Sequence, residues 1–338
     1  MTQRFRRNDE HPPSCARMRG AGHRRSGFVL LATLWVVVAM SAVALDLGLR
    51  SRTHRLAVAN MLELSRARSA ALAGTEHARS LLTVVLDGGS LSLAVAPATP
   101  PGMDPWAEPE RLLPDTIRLE RSAYVVRLRD TGTMVNLNVA DEDQIRSLLR
   151  ALRIDWGEAD RMAQAIMDWR DADHFRRGRG AERDDYIRAR ADVLPRDGPF
   201  ADVEELQWVR GVTAEVLDRV RPFVTTLGTG RININVASEP VLESLPGMTP
   251  AAVAIIQRHR RQRRPFRTAQ ELASELPVSA RQILVARMTD FLRVAMFETR
   301  EVEITSEGFV PGRPLRARVT GLFARANRSG LLVWRRIQ

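Results

Sequence analysis

An uncharged apolar segment near the N-terminus constrains this chain more than any other feature. From Phe28 to Leu45 no side chain carries a charge, and arginines precede the segment at positions 17, 19, 24 and 25. This length reaches that of a helix crossing the hydrocarbon core of a bilayer, about 17–25 residues. Because arginines are retained on the cytoplasmic side, we expect a cytoplasmic N-terminus and a single-pass protein whose remaining residues lie beyond the membrane.

The residues before the apolar segment predict a particular kind of processing. A secretory signal peptide has an apolar core of about 7–15 residues and a small-residue cleavage site after it, but no Ala-x-Ala follows Leu45. Here Ser26-Gly27 separates the arginines from Phe28. This order resembles the class III leaders of type IV pilins and type II secretion pseudopilins, which implies cleavage after Gly27 by a prepilin peptidase and N-methylation of Phe28. An anchor that is never processed is the alternative, and translation from Met18 would shorten the leader.

The fifth residue after the expected cleavage step is Ala32. Pilins and most pseudopilins carry a glutamate there, which is taken to neutralise the N-terminal ammonium of a neighbouring subunit. A carboxylate inside a membrane is costly unless it is paired, so a subunit with no neighbour above it gains nothing from one. Ala32 therefore marks a position at a filament tip, and in this it resembles the K-type minor pseudopilins of type II secretion.

The formal charge of +11 could indicate nucleic-acid binding, but the composition argues against it. All 51 basic residues are arginine, and residues 1–27 carry seven of them with two acids, so the processed chain has a charge of about +6 (11 − 5). The single cysteine, Cys15, also lies in the expected leader. The exported part then has no disulfide, and its stability must come from packing or a metal.

Patterning beyond the membrane predicts an α+β fold. Residues 50–86 lack proline and are rich in helix formers, whereas residues 117–129 and three segments after residue 300 alternate apolar and polar residues as strands do. This resembles a pilin scaffold, with a long N-terminal transmembrane helix and an antiparallel sheet, interrupted by a large helical insertion with helix-hairpin-helix or SAM-like repeats. The expected segments are the leader 1–27, the transmembrane helix 28–49, its continuation 50–86, a linker and first strands 87–135, the insertion 136–295 and the last strands 296–338.

The helical insertion contains an internal repeat. Asn-x-Asn-Val-Ala occurs at 136–140 and again 97 residues later, and Pro-Phe with a following Glu-Leu recurs after 66 residues. Each of the two copies, 136–206 and 233–272, predicts a helix capped by Asp141 or Ser238, a second helix, and a Pro-Phe turn that opens a third. The difference of 31 residues (97 − 66) predicts an extra segment around residues 169–198 of the first copy.

Two short elements, at 209–213 and 245–253, resemble helix-hairpin-helix motifs. In DNA-binding hairpins, backbone N–H groups at a helix N-terminus hold a phosphate, but Thr213 and Thr249 stand where a second glycine would be, and a threonine hydroxyl caps such a helix itself. The basic cluster at 258–264 keeps DNA binding open as an alternative. We favour structural hairpins with a solvated, arginine-rich face.

The extra segment gathers six acids between residues 168 and 186. Calcium takes 6–8 oxygen ligands from flexible loops, yet the spacing is not that of an EF-hand, and a solvated loop is the alternative. The sequence resembles the K-type pseudopilin pattern Asp-Trp-x-Asp-x-Asp followed by Gly-Ala-Glu-x-Asp-x-Tyr, a family that binds calcium. The resemblance implies structural calcium, with candidate ligands Asp171, Asp173, Glu182, Asp184 and Asp185.

No catalytic arrangement stands out, so we expect no enzyme and no catalytic residues. Resemblance to K-type minor pseudopilins implies a structural protein of the bacterial inner membrane and periplasm that helps to initiate the pseudopilus at its tip. Implied partners are the I- and J-type minor pseudopilins, the major pseudopilin, prepilin peptidase and the inner-membrane assembly platform, with contacts to the secretin or secreted substrates as a further option. Nucleic acid is not expected. The alternatives are a minor pilin of a type IV pilus and a membrane-anchored DNA-binding protein.

Overall fold

The computed structural model describes residues 25–86, 104, 106, 109–113, 116–326 and 329–337. Most of the predicted leader and most of the linker after residue 86 lie outside the described residues. The chain divides into two units, Met1–Met61 and Leu62–Gln338.

The described residues of the first unit form the N-terminal part of a long helix, α1 (Arg25–Leu86). Residues 28–61 are exposed throughout. The most apolar 18-residue window has a mean hydropathy of 2.5 and no buried residue, so this helix is long and apolar enough to cross a membrane. The helix ends at Leu86, directly before the Asp-Gly-Gly sequence that breaks the pattern of helix formers.

The described residues of the second unit combine the last part of α1 with short helices and three groups of paired strands. Its further helices are α2 (Glu142–Ala151), α3 (Trp156–Arg170), α4 (Arg183–Arg188), α5 (Ala214–Val220), α6 (Glu239–Glu243), α7 (Pro250–Arg261), α8 (Ala269–Glu275), α9 (Val278–Ala286) and α10 (Met288–Val294). Its strands are β1 (Ile117–Arg118), β2 (Ala123–Asp130), β3 (Val135–Asn136), β4 (Val224–Thr225), β5 (Ile232–Asn233), β6 (Ala295–Met296), β7 (Glu301–Phe309), β8 (Arg316–Ala326) and β9 (Ser329–Ile337).

The predicted strands form one antiparallel sheet in the order β1-β2-β7-β8-β9. Strand β2 pairs with β7 from Ala123 opposite Phe309 to Asp130 opposite Val302. In β7 every second residue is buried, which is the alternation that the sequence shows. Because β2 and β7 are neighbours in the sheet but about 170 residues apart in the chain, everything between them is an insertion that leaves and re-enters the sheet at adjacent strands. The predicted α+β class with a helical insertion is confirmed.

Small residues bring the last part of α1 close to the sheet. A Cβ atom added at Gly308 of β7 would lie 2.1 Å from the Ala67 carbonyl oxygen, and one added at Gly74 would lie 2.3 Å from the Ser306 hydroxyl. Contact at this distance requires glycine on one side and small residues on the other. The apolar core beneath is formed by α1 and the sheet, with Leu82, Trp106, Tyr124, Val126, Ile304 and Phe323 among its members.

The helical insertion has its own hydrophobic core and repeats one motif twice. Strand β3 pairs in parallel with β4, and β5 pairs in parallel with β6. In each copy the first strand carries the start of an Asn-x-Asn sequence and the second strand follows the helices that the copy contributes. A single cluster of buried apolar side chains runs through both copies, which therefore share one core.

Candidate cation site in the acidic loop

Equivalent asparagines hold equivalent turns in the two copies. Asn138 Oδ1 accepts from the Phe200 N–H at 2.7 Å, while its Nδ2 donates to the carbonyls of Phe200 at 3.0 Å and Thr226 at 3.2 Å. Asn235 accepts from the Phe266 N–H at 2.9 Å and donates at 2.8 Å to the Phe266 carbonyl and to a carbonyl just after β6. The repeated asparagine therefore ties the Pro-Phe turn to the closing strand of its copy.

An arginine near the end of the second helix of each copy binds the loop at its start. Arg170 donates to the carbonyls of Leu137 and Ala140, and Arg260 donates to the two carbonyls 97 residues later. These arginines are only 90 residues apart (260 − 170). The 31-residue excess is therefore divided: seven residues lie between Ala140 and Arg170, the stretch that contains α2 and α3, and the remaining 24 lie between Arg170 and the Pro-Phe turn.

The prediction that the basic cluster faces solvent is wrong for two of its members. Arg260 is half-buried by its bonds to the loop carbonyls, and burial lowers its pKa to about 10. His259 is buried, stacks on Phe266 with ring centroids 4.2 Å apart, and lies 2.7 Å from the Glu275 carboxylate. Both residues serve the fold of the second copy, while the other arginines of the cluster are exposed.

The acidic loop, residues 171–198, contains the 24 extra residues of the first copy and rests on aromatic rings. Trp169 at the end of α3 lies 5.6 Å from Tyr186 of α4 and 6.3 Å from Phe200, measured between ring centroids. The Tyr186 hydroxyl accepts from the Arg210 N–H at 2.9 Å. These contacts fix α4, and with it Glu182 directly before α4, against the body of the insertion.

Three of the predicted ligands meet in this loop. One oxygen each from Asp171, Asp173 and Glu182 lies within 4.8 Å of the others. Glu182 is 4% exposed, and among the described residues neither of its oxygens has a hydrogen-bond partner. The Oδ1 atom of Asp171 is likewise buried and unpartnered. Buried carboxylate oxygens are costly without a partner, so these atoms fit a cation that the residues would share.

One oxygen of each aspartate is held in place by another group. Arg177 donates to Asp171 Oδ2 at 2.5 Å and to the buried Asp168 at 2.7 Å, and the Phe175 N–H donates to Asp173 Oδ1 at 2.8 Å. Each aspartate is thus oriented through one oxygen, and the other oxygen of Asp171 has no partner among the described residues. Such outer contacts position metal ligands in proteins.

The electrostatics of Glu182 agree with this geometry. Burial, followed by the charges of Asp168, Asp171 and Asp197, raises the pKa of Glu182 to about 7. Burial also raises the pKa of Asp168, although Arg177 opposes the shift. A carboxyl that resists ionisation beside other carboxylates is one that a divalent cation would stabilise in its charged form.

The structure does not bring the other two predicted ligands to this group. Asp184 is exposed at the start of α4. Asp185 turns its carboxylate to the Glu182 N–H at 3.1 Å and to Arg188 at 3.1 Å, with Arg176 at 3.4 Å. Its charge is therefore already balanced by arginines.

Two residues that sequence reasoning did not name as ligands do lie there. Atoms of His174 and Asp197 form a second group with Glu182, again within 4.8 Å. The Asp197 Oδ1 atom is buried and has no partner among the described residues. Asp197 has a positive φ of 52° and lies 26 residues from Asp171, so no spacing rule would have connected the two.

The hairpins place their threonines as helix caps. Thr213 Oγ1 accepts from the Val216 N–H at 3.2 Å, and Thr249 Oγ1 accepts from the Ala252 N–H at 3.3 Å. The hydroxyls thus occupy N–H groups that a phosphate would need. Of the predicted first-helix caps, the Asp141 side chain accepts from a backbone N–H of α2, whereas Ser238 Oγ makes no capping bond.

The residues of the predicted processing site lie in the first turns of α1. Gly27, Phe28 and Ala32 are all helical, and Phe28 and Ala32 are exposed. Their roles in processing and in filament position stay predictions.

Comparison with known proteins relates part of this chain to a described family. Residues 125–229 match the model of the type II secretion system protein K family, first domain, and residues 229–284 match a helix-hairpin-helix motif. The type II secretion system protein K of Dickeya chrysanthemi is 32% identical over 155 residues, which cover 42% of each chain. The protein of that name from Klebsiella pneumoniae is 24% identical over 250 residues, 70% of this chain and 73% of that one. Residues 125–229 therefore carry the first domain of the type II secretion system protein K family.

A solved structure shares the fold of this chain over most of its length. The crystal structure of the GspK-GspI-GspJ complex of the type 2 secretion system of enterotoxigenic Escherichia coli contains a chain that matches with a TM-score of 0.58 and 18% identity. The match covers 86% of this chain and 99% of that chain. The protein K model begins in β2 and contains the whole acidic loop. The aligned segment spans only 42% of the length of the Dickeya relative.

Proposed function

We propose that this protein is a structural minor pseudopilin of a type II secretion pseudopilus, without catalytic activity. The protein K match over residues 125–229 carries the proposal, because that segment joins the sheet to the first copy of the insertion. The apolar, exposed start of α1 supports an inner-membrane anchor. The arginines before it favour a cytoplasmic N-terminus, which leaves the sheet and the insertion in the periplasm.

The proposed place of the subunit is the tip of the pseudopilus, where it helps to start assembly. Ala32 lies on an exposed face of α1 in the segment that would lie in the membrane. With alanine there, the subunit avoids the cost of an unpaired intramembrane carboxylate. The insertion between β2 and β7 adds a second hydrophobic core beside the sheet, and such bulk suits the end of a filament better than its body.

The proposed partners follow from this place. The fold neighbour was crystallised in a complex of GspK, GspI and GspJ, which supports I- and J-type minor pseudopilins as partners of this chain. The major pseudopilin, prepilin peptidase, the assembly platform, and the secretin or substrates are further proposed contacts.

Leader processing and co-assembly together test the proposal. Gly27→Val should block removal of the leader in cells, seen as an unshifted band and an unmethylated N-terminus. Gly48→Val in the same helix is the matched control, because a side chain added there meets nothing within 4 Å. The processed protein should co-purify with two other pilin-like subunits. Normal processing of Gly27→Val together with isolation of the protein alone would refute the proposal.

We further propose that calcium binds through Asp171, Asp173 and Glu182. The ion would supply positive charge to buried carboxylates and tie the acidic loop to α4. In the full chain purified in detergent, saturating calcium at about 100 times Kd should stabilise the fold by about 2.7 kcal/mol. Glu182→Gln should abolish the stabilisation, whereas Asp184→Asn should retain it because Asp184 is exposed and outside the group. Equal melting curves with calcium and with chelator would contradict the cation role.

DNA binding through the hairpins is the alternative that the helix-hairpin-helix match supports. The threonine caps argue against phosphate at those helix ends. We expect no shift of duplex DNA by the full chain at low salt, where electrostatic binding is strongest. A steeply salt-dependent shift would favour the DNA-binding role, and pilus genes next to this gene would favour a type IV minor pilin.

A further inference from the structure

A cavity of about 1090 Å³ lies in the second unit, where the end of β2 meets the Pro-Phe turn of the second copy. Its walls come from β2, from residues 263–267 and from the chain between β6 and β7. Eight arginines and four acids are among its described lining residues, which leaves an excess of four positive charges. Small-molecule pockets are lined mostly by apolar side chains, so this wall suits a charged ligand instead.

The acids of the cavity do not neutralise the arginines of the second copy. Arg325 of β8 lies 3.4 Å from the Asp104 carboxylate and 3.6 Å from the Glu298 carboxylate. Asp130 is buried, and burial raises its pKa to about 6, whereas Glu110 is exposed. Two of the acids are therefore paired with an arginine of the sheet, and a third is buried.

The arginines beside the Pro-Phe turn have no carboxylate of their own. Arg263, Arg264 and Arg267 are exposed, and among the described residues their guanidinium groups have no hydrogen-bond or ion-pair partner. Charges of one sign that line a cleft raise the local concentration of ligands of the opposite sign. A guanidinium group donates two parallel hydrogen bonds to a carboxylate, so this side of the cavity fits a ligand that carries several carboxylates.

The segment that carries these arginines is fixed by the end of α7. The Arg263 N–H donates to the Arg260 carbonyl at 2.9 Å, and the Arg264 N–H donates to the His259 carbonyl at 3.0 Å. These two bonds, with a positive φ of 55° at Arg263, are the Schellman ending of a helix. Phe266, which follows closely, is buried. The guanidinium groups thus extend from a hydrogen-bonded backbone, which reduces the entropy lost when a partner binds.

The size of the cavity favours a peptide over the other anions that arginine binds. Its volume equals that of a cube about 10 Å on a side. An extended chain advances about 3.3–3.6 Å per residue, so about three residues span such a cavity. A DNA duplex, whose major groove alone is about 12 Å wide, does not enter it. The buried Met296 and the half-buried Phe297 add apolar surface for the carbon atoms of a peptide, which a phosphate ion would leave uncovered.

We propose that this cavity, with Arg263, Arg264 and Arg267 at its edge, is the docking site for an acidic segment of a partner protein. The carboxylates of the segment bind the three guanidinium groups, and its chain lies over the apolar surface. This inference goes beyond the proposed function and does not rest on it, because the cavity is formed entirely within the second unit.

The experiment measures binding of a fluorescein-labelled nonapeptide of alternating glycine and aspartate to the full chain in non-ionic detergent, by fluorescence anisotropy at low salt. Arg264→Gln and Arg267→Gln should each weaken binding by about tenfold, as expected for a lost hydrogen bond to a charged group. Arg261→Gln is the matched control and should change binding by less than about twofold, because Arg261 is an exposed arginine of the same basic cluster that does not line the cavity. The same peptide with asparagine in place of aspartate should not bind.

The outcomes either support or overturn the inference. Selective weakening by Arg264→Gln and Arg267→Gln, with melting temperatures unchanged, would support it. Equal weakening by Arg261→Gln would overturn it, because that indicates general attraction between charges. Absence of peptide binding, displacement of the peptide by an equal concentration of inorganic phosphate, or tighter binding of duplex DNA than of the peptide would overturn it as well. Co-purification with two other pilin-like subunits tests the pseudopilin proposal separately.

Discussion

Replacing Asn138 by alanine should destabilise the first copy of the insertion by an amount that its contacts define. The variant removes three hydrogen bonds, two to the backbone of Phe200 and one to the Thr226 carbonyl. Loss of one partner of a buried hydrogen bond costs about 1–3 kcal/mol, and Asn138 is half-buried, so the low end applies. We therefore expect a loss of about 3 kcal/mol in the free energy of unfolding.

The repeat supplies a matched test of this magnitude. Asn235 makes the same three hydrogen bonds in the second copy and is equally half-buried. Asn235→Ala should therefore cost about the same free energy as Asn138→Ala. The control is Val139→Ala, because Val139 is 56% exposed and should change stability by less than about 0.5 kcal/mol.

Urea unfolding of the full chain in detergent measures these differences, and amide hydrogen exchange locates them. In Asn138→Ala the Phe200 amide should lose protection while the Phe266 amide keeps it, and Asn235→Ala should show the reverse. A cost of less than 1 kcal/mol for both asparagine variants, with unchanged exchange at both phenylalanines, would refute the idea that the asparagines hold the turns.

Three further predictions concern other parts of the second unit. Gly308→Val should lower the free energy of unfolding by at least the roughly 1–3 kcal/mol of an overpacked core, because the new side chain meets the backbone at Ala67. The measurement is the melting temperature, which should fall. Burial raises the pKa of Asp130 to about 6 from 3.8, so the folded state holds that proton more tightly than the unfolded state does. The free energy of unfolding should therefore fall by about 3 kcal/mol as pH rises from about 4 through 6. Urea unfolding curves at a series of pH values measure this fall, and Asp130→Asn should remove it. Gly180→Ala should displace Asp168, whose carboxylate lies 2.0 Å from the added Cβ, and should therefore weaken calcium binding measured by calorimetry.

The elements that local patterns define were predictable from sequence. The uncharged run and the helix formers after it predict the helix that ends at Leu86, and alternation predicts strands that the structure gives as Ala123–Asp130 and Glu301–Phe309. The Asn-x-Asn repeat was visible because both copies need the same side-chain hydrogen bonds. In these places the physical requirement lies within a few residues of the sequence.

The candidate site was predictable only in part, because its geometry depends on contacts between distant residues. Spacing and family resemblance selected Asp171, Asp173 and Glu182, but they also selected Asp185, whose carboxylate is turned towards arginines. Asp197 was missed because only the folded loop brings it to Glu182. Composition likewise placed the whole basic cluster at the surface, whereas carbonyls of a distant loop bury Arg260.

The duplication also shows what the protein would look like without its acidic loop. In the second copy the helix reaches its Pro-Phe turn through residues 262–264 alone, yet Arg260 and Asn235 make the same bonds as Arg170 and Asn138. The two copies therefore share these hydrogen bonds although only the first contains the acidic loop. The acidic loop is thus not needed for the turn that both copies form, and its residues can serve a separate role such as binding a cation.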